Sequence, residues 1–161
     1  MTPQEGPTIL SKKLFKLTIG GGLVFWATSI ATSLLPIAAE YRAAYSDWSI
    51  QTVWVVSLPM GMIIGFGVSW FLLRYFDKIP SKNPMLKSAI LSFIALIIAV
   101  ILIDIPQSFF GMSNSSAALY YFLIGVMFNA ARFLLLGIGI GYLCNERGHS
   151  PFKGDKNEFS K

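Results

Sequence analysis

The stretch GVMFNAARFLLLGIGIGY, residues 125–142, is an apolar run with one arginine, Arg132, near its middle. A charged side chain is rare in such a run, because moving it into hydrocarbon costs at least about 2.5 kcal/mol. The run belongs to a longer apolar segment, from about residue 117 to residue 145, which can cross about 30 Å of hydrocarbon at about 1.5 Å per residue. It therefore predicts a membrane-spanning helix that contains a buried charge.

Three further apolar runs precede it, at about residues 17–39, 50–75 and 85–105. Of the 161 residues, 54% are hydrophobic and only 13% are charged, which is unlike a soluble domain. The predicted fold is all-α: a polytopic membrane protein with four transmembrane helices in an antiparallel bundle, within residues 14–146. Residues 1–13 are expected to form a flexible N-terminal arm, and residues 147–161 a disordered cytoplasmic tail.

The first run has a competing interpretation as a cleaved signal peptide. Lys12, Lys13 and Lys16 precede it, and Ile37–Ala39 offers a cleavage site. However, the run is longer than the roughly 7 to 15 apolar residues of a typical signal-peptide core. A retained helix is therefore the favoured interpretation.

Positive charge is distributed unequally between the two sides of the predicted bundle. Of the 13 lysines and arginines, all but Arg42 and Arg132 lie on the side that holds both termini. Because cytoplasmic loops carry the excess of lysine and arginine, both termini are predicted to be cytoplasmic. No organelle signal is recognisable, so the expected location is the cell membrane, plasma or inner, as an integral multi-pass protein.

Polar residues at the depth of Arg132 define a candidate intramembrane cluster. At about 100° per residue, Asn129 lies on the same broad helix face as Arg132. Asp104 ends the third run at nearly the same depth and is the expected counter-ion, while Ser29 and Thr32 of the first run lie at that level too. The hypothesis is a cluster of these five residues in the outer half of the bundle. It could serve a ligand or ion pathway, or it could only brace the helices.

Two other groups of residues stand out. Glu40, Arg42 and Asp47 form an outer rim, for which solvation is a more ordinary role than ligand binding. Small residues spaced every four positions predict faces where helix backbones approach closely; they are Ser57, Gly61, Gly65, Ser69, Gly137 and Gly141. Packing inside the bundle is preferred over a dimer interface for these faces. Pro59 predicts a kink in the second helix, because it cannot donate to the carbonyl of Val55.

The single cysteine, Cys144, and the single histidine, His149, restrict the available chemistry. They cannot supply an intrachain disulfide or a Cys/His zinc site, and no nucleotide-binding glycine motif is present. The sequence therefore predicts no metal site, no cofactor and no catalytic constellation, so an enzyme is not expected. The net charge of +5 is explained by lipid headgroups, and no nucleic-acid partner is expected.

Two classes of function follow from these features. The polar cluster and the prolines in two helices favour a small transporter or channel-type component, which would need an oligomer to enclose a pathway. The small-residue faces and the nearly all-aliphatic third run fit the alternative, a non-enzymatic accessory or scaffold subunit of a larger membrane complex. The expected partner is the lipid bilayer, together with either a second copy of the chain or a larger membrane protein.

Overall fold

The computed structural model describes residues 7–45, 49–79, 81, 83–106 and 115–145. Throughout these residues the regular structure is helical, without strands, and this confirms the all-α prediction. The α-helices are α1 (Pro7–Ser33), α2 (Pro36–Tyr45), α3 (Ile50–Arg74), α4 (Pro84–Ala99) and α5 (Ser115–Asn145). A 3₁₀ turn, Phe76–Lys78, follows α3, and a π-helical turn, Val100–Asp104, extends α4.

Four of the helical segments are long and apolar enough to cross a membrane: Ser11–Ser33, Ile50–Arg74, Pro84–Asp104 and Ala117–Asn145. Their outward faces carry large apolar side chains, such as Val55, Ile63 and Leu102, each about two-thirds exposed or more. A soluble monomer does not expose apolar surface on this scale. The four helices therefore fit a small multi-pass membrane protein, as predicted.

The start of the first helix differs from the prediction. Residues 7–13 were expected to lie in a flexible arm, but they belong to α1. Hydropathy alone underestimates such a helix, because lysines such as Lys12 and Lys13 are good helix formers and their side chains reach water beyond the hydrocarbon. Residues 1–6 and the predicted tail, 147–161, lie outside the described part of the chain.

The end of the first helix also differs, because α1 stops at Ser33 and does not continue to residue 39. The N–H of Leu35 donates to the carbonyl of Thr32 (3.3 Å) in the turn that follows. Pro36 then begins α2, since a proline cannot continue a helix but suits the first position of a new one. The run from Leu34 to Ala39 is apolar, so hydropathy does not reveal this break.

The other three membrane-capable helices begin and end within two residues of their expected bounds. Side chains cap two of them: Ser49 Oγ accepts from the N–H of Thr52 (3.2 Å) before α3, and Asn83 Oδ1 accepts from the N–H of Met85 (2.9 Å) before α4. Pro59 lies inside α3, which runs through it without a break.

The predicted small-residue faces lie inside the chain's own bundle. On α3, Ser57, Gly61, Gly65 and Ser69 are all buried. A Cβ atom at Gly61 would lie 2.9 Å from the carbonyl oxygen of Gly22, and one at Gly65 would lie 3.0 Å from that of Thr18, so α1 covers this face. The glycines of α1, residues 20–22, form the other half of the contact, and no four-residue spacing marks them in the sequence.

The glycines of α5 form the corresponding contact with α4. A Cβ atom at Gly141 would lie 2.5 Å from Met85 Cα, and one at Gly137 would lie 2.6 Å from Ser92 Oγ. Residue numbers therefore rise along α5 as they fall along α4. Between these contacts lies one apolar core, which consists of Leu17, Phe25, Val68, Leu72, Leu96, Phe133, Leu136 and Ile140.

The lysines mark one end of the bundle, which is called the lysine end below. Lys13 and Lys16 of α1 lie beside Leu143 of α5 there. Lys87 is buried there: its Nζ donates to the carbonyl of Phe76 and lies 3.8 Å from the centre of that ring. Ser33, Asp104 and Arg42 lie toward the opposite end, which is called the far end.

Candidate functional site

A cavity of about 440 Å³ lies toward the far end, between α1, α2, α3, α5 and the last turns of α4. Its lining is mostly apolar, with a group of polar side chains: Ser33, Tyr41, Arg42, Ser57, Asp104, Asn129 and Arg132. A volume of this size is typical of sites for small organic molecules. The cavity thus contains three members of the predicted intramembrane cluster.

Asp104 reaches this cavity because the end of α4 is a π-helical turn. The N–H of Ile105 donates to the carbonyl of Val100, five residues earlier. In an uninterrupted α-helix Asp104 would lie about 80° around the axis from the buried Leu96, at about 100° per residue. The wider π turn reduces this angle and places Asp104, which is 4% exposed, on the buried face of α4.

Asn129 is the direct partner of Asp104. Its Nδ2 donates to both carboxylate oxygens, each at 3.0 Å. Its amide oxygen, Oδ1, accepts from Arg132 Nη1 at 3.3 Å. An amide can serve in this way because it has a donor end and an acceptor end. Asn129 therefore connects the acidic and the basic side chain.

Asp104 and Arg132, the expected pair, interact electrostatically but meet through Asn129 and not in direct contact. In the described part of the chain the carboxylate binds the amide of Asn129, and the two charged groups form no ion pair. Depth along the helices placed Asp104 and Arg132 at one level, but depth does not determine which way each side chain points. Asn129, one turn from Arg132 on α5, lies between the two charged side chains and binds both.

Thr32 completes the cluster on the α1 side, whereas Ser29 does not join it. The Thr32 hydroxyl donates to the carbonyl of Thr28 (2.9 Å), so its free lone pair can accept from Arg132 Nη2 at 3.4 Å. Ser29 is fully buried, and its hydroxyl donates to the carbonyl of Phe25 in its own helix (2.9 Å). The network is therefore Asp104, Asn129, Arg132 and Thr32.

Arg132 keeps unused hydrogen-bonding capacity. A guanidinium carries five N–H donors, and the two bonds above are both longer than the usual 2.7–3.2 Å. Its Nε is buried and has no acceptor among the described residues. Arg132 is thus a cation held by neutral acceptors beside an open cavity.

Arg42 and Glu40 of the predicted outer rim lie in different environments. Arg42 of α2 lines the cavity, and its Nη1 donates to the carbonyl of Ser33 (3.1 Å), at the C-terminal end of α1. A cation at a helix C-terminus satisfies a carbonyl that the helix itself leaves free. Arg42 is therefore part of the site, while Glu40 is exposed and Asp47 lies outside the described residues.

Two tryptophans form hydrogen bonds between α1 and α3, a role that the sequence did not indicate. Trp54 Nε1 donates to Ser33 Oγ (2.8 Å), and Trp26 Nε1 donates to the carbonyl of Trp54 (2.9 Å). Both bonds join α1 to α3 beside the cavity. Tryptophan near a membrane surface is ordinarily explained as an interfacial anchor. The presence of Trp26 and Trp54 in the sequence therefore does not predict their hydrogen bonds.

The structure shows no group of three or more histidine, cysteine, aspartate or glutamate side chains that could hold a metal ion within the residues it describes. Comparison of the chain with protein-family models, curated proteins and solved structures finds no match. The class of protein therefore follows from the fold and the cavity. It is a small multi-pass membrane protein with a mostly apolar, arginine-containing cavity between its helices.

Proposed function

We propose that the protein is a transport-type membrane component whose cavity accepts a small polar solute. The observation that carries this proposal is that Asp104, Asn129 and Arg132, three members of the network, border open space. A cluster that only braced helices would satisfy its charges by packing them against each other. Ionisable groups inside membrane bundles that face a cavity characteristically belong to a pathway.

The cavity ends at a packed barrier toward the lysine end. Phe25 and Phe133 line its inner part, with their rings edge to face at a centroid distance of 5.8 Å. Leu136, which is fully buried, follows Phe133 in the core. This arrangement supports a solute site that opens on one side at a time, because passage would require the helices to separate at the aromatic pair.

Uptake into proteoliposomes tests the proposal. Gluconate, arabinitol and choline are suitable probes, because they are an anion, a neutral solute and a cation that all cross pure lipid poorly. We expect one of them to enter vesicles that contain the protein faster than protein-free vesicles, and Arg132→Gln to remove that excess. The matched control is Arg74→Gln, which changes an exposed arginine that lies over Trp70 outside the cavity.

Uptake of none of the three probes above the protein-free rate would contradict a transport role. A stoichiometric complex with a larger membrane protein, isolated in mild detergent, would then favour the accessory or scaffold function. A homo-oligomer that takes up one probe would favour transport, since four helices alone enclose little space.

A further inference from the structure

We infer that the cavity binds an organic anion, a carboxylate or phosphate head attached to an apolar body, with its head between Arg132 and Arg42. This inference rests on the proposed function and names the ligand class of the same site. It follows from the balance of charge in the cavity, the free donors of Arg132 and the character of the remaining lining.

The cavity holds more positive than negative charge. Arg42 and Arg132 line it from α2 and α5, and among the described residues Asp104 is the one acidic side chain in its lining. Both oxygens of Asp104 already accept from Asn129. The second cation, Arg42, is held by the neutral carbonyl of Ser33, so an anion that entered this mostly apolar cavity would meet two arginines.

The free donors of Arg132 define the chemistry of the missing partner. Among the described residues Nε is buried without an acceptor, and the hydrogen bonds of Nη1 and Nη2 to neutral oxygens are long. A guanidinium presents its N–H groups as a planar fork that matches a carboxylate or a phosphate. Such an anion would replace weak contacts with charge-assisted hydrogen bonds.

The rest of the lining indicates what the head is attached to. Phe25, Phe128, Val56, Met60 and Ile103 are among the apolar residues that surround the polar group. A halide ion would leave most of the 440 Å³ without contacts. A ligand that has both a charged head and several carbon atoms matches the two parts of the cavity.

Binding of hexanoate to the protein in phosphatidylcholine nanodiscs, at neutral pH, tests the inference by titration calorimetry. Hexanamide and hexylammonium have the same apolar body with a neutral or a positive head. We expect saturable hexanoate binding, with both analogues at least about tenfold weaker, because a charge-assisted hydrogen bond is stronger than a neutral one.

Glutamine variants test whether the two arginines of the cavity bind the ligand. Arg132→Gln and Arg42→Gln should each weaken hexanoate binding about tenfold, whereas Arg74→Gln should leave it unchanged. If Arg132→Gln fails to fold, Arg42→Gln decides. Equal affinity for hexanamide and hexanoate, or unchanged affinity in the cavity variants, would overturn the inference.

The source of the anion is distinguished by extraction and mass spectrometry of the purified protein. An anionic lipid that co-purifies, is displaced by hexanoate and is absent from Arg132→Gln would identify a lipid ligand. Hexanoate binding without such a lipid would identify a free solute. Either result supports the shared chemistry of the site.

Failure of this inference differs measurably from failure of the proposed function. Hexanoate binding without uptake of any probe would leave the anion site intact and remove the transport role. Uptake of choline or arabinitol without hexanoate binding would leave transport intact and remove the anion site.

Discussion

At the scale of single residues, the central feature is an amide placed between two charges. Asn129 donates to Asp104 and accepts from Arg132, so one neutral side chain fixes both ionisable groups. The amide keeps the guanidinium and the carboxylate out of direct contact, and Arg132 lines the cavity.

Replacement of Asn129 by leucine should destabilise the protein by about 1–3 kcal/mol, because buried polar groups on both sides lose their partner. Unfolding by sodium dodecyl sulfate from mild-detergent micelles measures the change. Asn145→Leu is the matched control, since Asn145 is an exposed amide at the end of the same helix. The double variant with Asp104→Leu should be less unstable than the sum of the two single changes. Additive effects would contradict the bridging role.

The sequence predicted the residues of the cluster better than their connections. Counting residues along each helix placed Asp104, Asn129, Arg132 and Thr32 at one depth. The rotation of Asp104 depends on a π turn, and the apolar run VILI (residues 100–103) gives no sign of it. The direction in which a side chain points around its helix axis depends on tertiary structure. The sequence therefore does not predict contacts such as that of Arg42 with the end of α1.

At the scale of helices, glycine sets how closely α1 and α3 approach. A Cβ atom at Gly61 would lie 2.9 Å from the backbone oxygen of Gly22, whereas one at Gly67 would meet no atom within 4 Å. Both glycines lie in α3, so alanine brings each the same intrinsic gain of about 1 kcal/mol in helix propensity. The difference in stability between the two alanine variants therefore measures how tightly α1 packs against α3.

Gly61→Ala should lower the thermal unfolding temperature in detergent, because the two backbones must separate. Gly67→Ala should leave it unchanged or raise it slightly. Intrinsic tryptophan fluorescence follows both transitions. Equal unfolding temperatures for the two variants would show that the glycine contact does not limit the approach of α1 and α3.

The four-residue spacing of small side chains identified one half of each helix contact, but not its partner. On α3 four small residues recur at every fourth position from Ser57 to Ser69. Their partner on α1 is a cluster of three consecutive glycines. A periodic pattern does not find such a cluster. The break at Pro36 was missed for a related reason, since the residues around it are as apolar as the helix before it.

At the scale of the whole molecule, the distribution of charge predicts which end faces the cytoplasm. Lys13, Lys16 and Lys87 lie toward one end of the bundle, and the cavity lies toward the other. If the lysine end is cytoplasmic, as the excess of positive charge predicts, the cavity is reached from outside the cell. This orientation is a prediction that a sided reagent can test.

The most direct test of the account uses cysteines introduced at two positions of α3 in a Cys144→Ser background, which removes the single native cysteine. Val53 lines the cavity and is half-buried, while Val55, at nearly the same depth, is 72% exposed on the apolar outer face. The reagent is the membrane-impermeant anion sulfonatoethyl methanethiosulfonate, added outside intact cells. It reacts with thiolates, and apolar surroundings such as hydrocarbon disfavour the ionisation of a thiol. We expect Val53→Cys to react, hexanoate to slow the reaction, and Val55→Cys to remain unmodified. Equal reaction at both positions, or reaction at Val55→Cys alone, would contradict a membrane-embedded bundle with a water-reached anion cavity on its outer side.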